Sequence, residues 1–284
     1  MRRSRSLAIR MVLIAVLAPL VPLGLLAVLI AVTPSRWLFG LVVGLILGMI
    51  VRLAKQIERM EQPVWPITER EAPELFGILD RLCALADMPR PQVVLTDEAQ
   101  PNSWVVHFPR RPPRLYITRG LRAALTLDEL QAVLAHELAH IANRDARVMS
   151  VVEWPSAVML RANAAAGVDG IFVALIGLVS RVGVAILSRY RELAADAGSA
   201  AITGRPSALA SALLKVSESL EQIPAKDLRE AAALNAFNLV AAPSRSRLAR
   251  RVPCLSRLTA THPPLQARLD ALHELERAQQ TSIS

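Results

Sequence analysis

Residues 132–146 read AVLAHELAHIANRDA, with His136 and His140 four apart and Glu137 directly after the first. On a helix, positions four apart lie about 40° from one another, so both imidazoles can meet one metal ion. Glu137 is then about 100° round from His136, where its carboxylate reaches a water beside the metal and not the metal itself. Two nitrogen ligands and a carboxylate base at this spacing equip a helix for metal-assisted hydrolysis. The plain alternative is a helix that carries two histidines on a polar face. The chain has only five histidines in 284 residues, so a complete H-E-x-x-H pattern is not expected by accident. The hydrolytic reading is the stronger one.

A helix must hold these groups, and the sequence supplies it. Thr126 followed by Glu129 is a capping box, which starts the helix near Leu127. Leu130, Leu134, Leu138 and Ile141 form the apolar stripe that anchors it. A catalytic zinc takes three protein ligands and keeps one position open. The pattern H-E-x-x-H-x-x-G-x-x-H is absent, because Asn143 and Ala146 occupy the glycine and final histidine positions. Glu153 is near in sequence but sits in an apolar segment. Glu192, in SRYRELAADAGSA, lies 52 positions after His140, and Asp196 follows it by one helical turn. On one helical face the first can bind metal while the second orients a ligand histidine. A solvated Glu192 paired with Arg189 fits the same residues, and on spacing alone that plainer reading is the stronger.

The elements around this helix divide into membrane and domain. The chain is 53% hydrophobic with a mean hydropathy of +0.36, too apolar for an ordinary soluble domain. Met11–Val32 is uncharged over 22 residues, long enough to span a bilayer. Trp37–Val51 is a second uncharged run, bracketed by Arg36 and Arg52. The length of the first run, the lack of a clear A-x-A site and the second run close behind argue against a cleaved signal peptide. Residues 1–62 are therefore expected to form a transmembrane hairpin and linker. Arg2, Arg3, Arg5 and Arg10 precede it and Arg52, Lys55 and Arg59 follow it, which puts both ends in the cytoplasm. Cys83 and Cys254 suit a reducing compartment and lack metal-site spacing. The net charge of +9 gathers beside the spans and in Ser244–Arg251, where anionic lipid is the simpler partner. No interleaved aromatics or nucleic-acid motif point to nucleic acid.

Residues 63–284 are expected to form an α+β domain, mostly helical. A first helix places Leu75, Ile78, Leu79, Leu82 and Leu85 on its buried side. Three short strands, Gln92–Thr96, Ser103–His107 and Arg114–Thr118, make a small sheet. After the histidine helix come helices near Arg191–Ala201, Ser207–Gln222 and Leu265–Gln279. A hydrophobic region at 149–188 interrupts the domain, with Glu153 and Pro155 in Met149–Leu160 and Arg181 in Ile171–Ser188. If residues on both its flanks bind one metal, the chain between them crosses the membrane an even number of times. A second membrane hairpin is the expected solution, with Glu153 and Arg181 facing protein.

AVLAHELAHIANRDA, SRYRELAADAGSA and THPPLQARLDAL (Thr261–Leu272) occur in this order and spacing in the HtpX-like M48 membrane zinc metallopeptidases, which the chain resembles. PNSWVV and ITRGLRAALTLDELQAVLAHELAH also resemble that family, and the likeness runs from about Val64 to Leu272. It implies a gluzincin-type fold with one catalytic zinc ion on His136, His140 and Glu192, and Glu137 as general base. It further implies that Asp196 supports a ligand from behind, and that His262 and Asn102 steady substrate or oxyanion. The implied mechanism has zinc activate a water whose proton Glu137 takes and later passes to the leaving amine. The Ser103–His107 run is the expected edge strand for an extended peptide. The implied substrates are proteins or peptides, above all misfolded or damaged membrane proteins. This chain departs from the pattern at NSW, where a small residue and then Phe is commoner, and in its arginine-rich loop before THPP. A non-proteolytic, zinc-stabilised membrane scaffold or sensor is the alternative, and Glu137 speaks against it because a structural site needs no base.

Overall fold

The computed structural model describes residues 66–106, 112–143, 145, 170–221, 239, 258 and 260–283, with isolated positions 24 and 48. The expected spans Met11–Val32 and Trp37–Val51, and the apolar run Met149–Leu160, lie outside the described residues. No helix among the described residues is long and apolar enough to cross a membrane.

Helix α1 spans Pro73–Ala86. Proline suits its first turn because no partner is needed there for the missing N–H. The buried side is Leu75, Phe76, Leu79, Leu82 and Cys83. Leu85, expected on that side, is 62% exposed. It falls about 80° off the line through Leu75, on the opposite flank from Phe76 and Cys83, so the buried arc turns away from it. The helix stops at Asp87, which adopts the left-handed conformation at φ 50° and caps it with backbone bonds to Ala84 and Cys83.

Strands β1 (Gln92–Thr96), β2 (Ser103–Val106) and β3 (Arg114–Thr118) follow. Their order is β1-β3-β2, with β1 parallel and β2 antiparallel to the central β3. Trp104 lies opposite Tyr116 in register, and their rings stack at 5.0 Å. The expected strands match, except that His107 lies outside the described residues. β2 is an edge among the described strands. A short helix α2, Arg119–Ala124, is capped by the Thr118 hydroxyl, which accepts from Leu121 N–H. Gly120 has no alternative there, since a Cβ would run into the backbone carbonyl of Ala99.

Helix α3, Leu127–Asn143, carries the histidines. Its capping box forms as the sequence requires: Thr126 N–H donates to Glu129 Oε2 at 2.8 Å and Glu129 N–H donates to Thr126 Oγ1 at 3.4 Å. Leu130, Leu134 and Leu138 are buried in the core with residues of α1, β1, β3 and α5 (Pro206–Glu221). Helix α4 runs unbroken from Gly170 to Thr203, where separate segments at Ile171–Ser188 and Arg191–Ala201 were expected. No proline interrupts it, and Gly204 at φ 66° ends it in the conformation glycine takes at no steric cost. The Ser199 hydroxyl donates to Ala132 O at 2.7 Å, fastening α4 to α3. Helix α6 is Leu265–Ile283.

The chain divides into two compact units, one of residues 1–7, 66–147 and 185–284 and one of residues 8–65 and 148–184. All the elements named above belong to the first, apart from residues 170–184 of α4.

Candidate metal centre

The inner face of α3 brings His136 and His140 together as the four-residue spacing demands. Their rings meet edge to face with centroids 4.7 Å apart, and their Nε2 atoms stand 3.1 Å from one another. From α4, Glu192 presents Oε2 at 3.7 Å from His136 Nε2 and Oε1 at 3.6 Å from His140 Nε2. One donor atom from each of the three residues lies within 4.8 Å of the others. The solvated alternative for Glu192 is not realised: the residue is 5% exposed, and Arg189 turns instead to the carbonyls of Ala185 and Leu258. Glu153 lies outside the described residues.

The far side of each imidazole is also occupied. His136 Nδ1 stands 2.9 Å from Asp196 Oδ1, and His140 Nδ1 stands 2.7 Å from Asp145 Oδ2. His140 Nδ1 is hydrogen-bonded to its carboxylate, and His136 Nδ1 has one beside it. With the proton of each ring on Nδ1, the two Nε2 lone pairs at 3.1 Å would face one point, where a cation would hold them. In a tetrahedral zinc site with Zn–N near 2.0–2.1 Å, two nitrogen ligands sit about 3.4 Å apart. Two imidazoles and a carboxylate in a buried cluster are a donor set that zinc accepts, and the residues fit the ion.

Charge organises the cluster. Arg268, on α6 and 2% exposed, donates from Nε to Asp196 Oδ2 at 2.8 Å and from Nη2 to Asp196 Oδ1 at 2.6 Å. Its Nη1 donates to the Leu239 carbonyl at 2.7 Å and stands 3.7 Å from Glu192 Oε2. Burial pushes the Asp196 carboxyl up, but Arg268 more than offsets this and holds it below its ordinary range. For Glu192 burial works the same way, and His262, His140 and Arg268 together hold the carboxyl well below the usual carboxylate range. His262 Nδ1 is 3.7 Å from Glu192 Oε2.

Glu137 behaves differently from these acids. It is 4% exposed, and burial raises its carboxyl above the ordinary range against the pull of His140 and of a hydroxyl from β2. That hydroxyl is Ser103 Oγ, which donates to Glu137 Oε1 at 2.7 Å. Asn102, just before Ser103, is buried, and its side-chain oxygen accepts the Leu239 N–H at 3.2 Å.

Three neighbours of the site are not predicted by the motif spacing. Ser103 sits in the NSW triplet. Asp145 stands five residues after His140, next to the last residue of AVLAHELAHIANRDA. Arg268 follows His262 by six residues, inside THPPLQAR. Each lies within a motif, but the pair it forms depends on packing, and the motif alone says nothing of it.

The chain is similar to several known proteins. Peptidase family M48 matches residues 69–276. Protease HtpX homolog 1 of Streptomyces coelicolor is 37% identical over 291 residues, covering 95% of this chain and 93% of that protein. The protease HtpX homolog of Moorella thermoacetica is 38% identical over 229 residues, 74% of each chain. Protease HtpX homolog 2 of Methanosarcina mazei is 34% identical, covering 74% of this chain and 75% of its own. A crystal structure of S. mikatae Ste24p is similar at a TM-score of 0.48 and 18% identity, over 84% of this chain and 59% of that one.

Proposed function

The chain belongs to peptidase family M48 and is a zinc metallopeptidase acting on peptide bonds; we propose that it is a membrane-bound endopeptidase with one zinc ion held by His136, His140 and Glu192. The observation that carries this reading is the convergence of two Nε2 atoms and one carboxylate, each imidazole backed by a second carboxylate. Bound there, zinc supplies Lewis acidity, which lowers the pKa of water at the site and polarises the scissile carbonyl. Glu137 is the base. Ser103 holds its Oε1, so Oε2 takes the water's proton and returns it to the leaving amine.

Substrate enters as an extended peptide along β2, whose outer edge carries no strand among the described residues. Such pairing reads backbone more than side chain, which suits cleavage of misfolded or damaged membrane proteins of varied sequence. His262, on the Glu192 side of the site, steadies the developing oxyanion, and Asn102 supports bound peptide at the entry to β2. The apolar runs of the N-terminal region hold the enzyme in the cell membrane with the catalytic domain facing the cytoplasm.

The test is Glu137→Gln in the full-length protein. Cleavage of an unfolded membrane protein should vanish while elemental analysis still finds near-stoichiometric zinc. Chelation should abolish wild-type cleavage. Loss of the metal together with activity in Glu137→Gln would make Glu137 a ligand and overturn the assignment.

A further inference from the structure

The carboxylate behind His136 comes from α4, whereas the one behind His140 comes from Asp145, five residues further along the chain. Asp145 is 2% exposed, and its Oδ2 stands 2.7 Å from His140 Nδ1. Its position is unfavourable on local grounds. A buried carboxylate carries the cost of desolvation. Two groups offset this: the His140 ring and Arg191, whose Nε lies 3.3 Å from the same Oδ2. Arg191 directly precedes Glu192 on α4. One carboxylate thus faces a ligand histidine of α3 and the neighbour of the α4 ligand.

We propose that Asp145 is a positioning residue of the metal centre, fixing the tautomer and ring orientation of His140 while Arg191 ties it to the helix that presents Glu192. The proposal rests on the zinc site described above. A metal-bound histidine that donates its other N–H to a carboxylate is held in one orientation and is a stronger donor to the metal. Asp196 stands 2.9 Å from His136 Nδ1. With Asp145, a carboxylate stands behind both histidines of the site, from two separate parts of the chain.

The experiment uses the full-length protein in detergent and three readouts: zinc affinity by competition with a chromophoric chelator, the visible spectrum of the cobalt-substituted protein, and the melting temperature of the metal-free form. Asp145→Ala should weaken zinc binding by about 10–100-fold, the usual effect of losing such a partner. Asp145→Asn keeps a carbonyl for the Nδ1–H and should restore part of that loss. Both variants should shift the cobalt bands. Arg191→Gln should weaken zinc in the same direction by less. If Asp145→Ala proves unstable, the Asn variant and Arg191→Gln decide by themselves. Wild-type zinc affinity and unchanged cobalt bands in the Asn and Ala variants, with only the metal-free melting temperature lowered, would reduce Asp145 to a structural anchor and overturn the proposal. His140→Ala separates the two levels of the argument. If it loses zinc while the Asp145 variants keep it, the site stands and the role of Asp145 falls. If His140→Ala itself binds zinc like wild type, the ligand assignment has failed first.

Discussion

A carboxylate that is 5% exposed persists only among compensating partners, and Glu192 has them in His262, His140 and Arg268. Asp196, one turn on, has a stronger single partner in the two-pronged Arg268 contact. These two acids sit side by side on α4, yet their loss should read differently. Glu192→Ala should abolish stable zinc binding, because a ligand is gone. Asp196→Ala should weaken zinc by about 10–100-fold through His136. It should also destabilise the fold by about 3–5 kcal/mol, since it leaves a buried guanidinium without its counter-charge. Elemental analysis and chemical denaturation measure the two effects separately. If Glu153→Ala removes the zinc while Glu192→Ala retains it, the third ligand lies in the apolar segment instead.

At the scale of the element, Glu129 makes α3 sensitive to acid. Its side chain closes the capping box on Thr126 and also receives Lys215 Nζ at 2.8 Å and Ser211 Oγ at 2.7 Å from α5. Burial alone would raise this carboxyl, but Lys215, Ser211 and Thr126 outweigh it and bring it from 4.5 down to about 2. The folded value lies below the unfolded one, so the unfolded chain takes up protons first as pH falls. The stabilisation is therefore complete above pH 4.5 and is lost as pH falls towards about 2. Glu129→Gln should be less stable than wild type at neutral pH, and the gap should close across that window. A gap constant from pH 6 to pH 2 in urea titrations would show that the charge of Glu129 contributes nothing.

For the whole molecule, the decisive constraint is that α3 and α4 supply one metal site while a hydrophobic region separates them in sequence. His140 and Glu192 must lie on one side of any membrane the chain crosses. Seven of the eight basic residues flanking the first two apolar runs lie outside their connecting turn, from which we expect that turn outside the cell. Reporters fused after Gln62 and after Gln279 should both read cytoplasmic, and one in the Thr33–Arg36 turn should read external. Opposite readings at Gln62 and Gln279 would break the zinc site. External readings at both would keep the site and reverse the orientation.

What the sequence by itself determined is whatever depends on neighbours a few residues apart. The Thr126–Glu129 capping box set the start of α3, and the leucine stripe set its buried side. The interval from His136 to His140 put two imidazoles over one point, because a helix has a fixed rotation per residue. The same local logic placed β1 and β3 at their observed ends. It did not decide whether Glu192 faces a metal or solvent, since the rotation of α3 carries no information about a helix 52 positions on. Nor did it reveal that Arg268, in a helix with an ordinary polar face, would be almost wholly buried against Asp196. Asp145 and Ser103 were legible as letters, but their roles depend on a ring and a carboxylate that other elements deliver. Only tertiary packing decided those pairs. A buried charge takes its meaning from the partners around it, and here they come from distant parts of the chain, brought together by burying apolar surface in which these polar groups take no part.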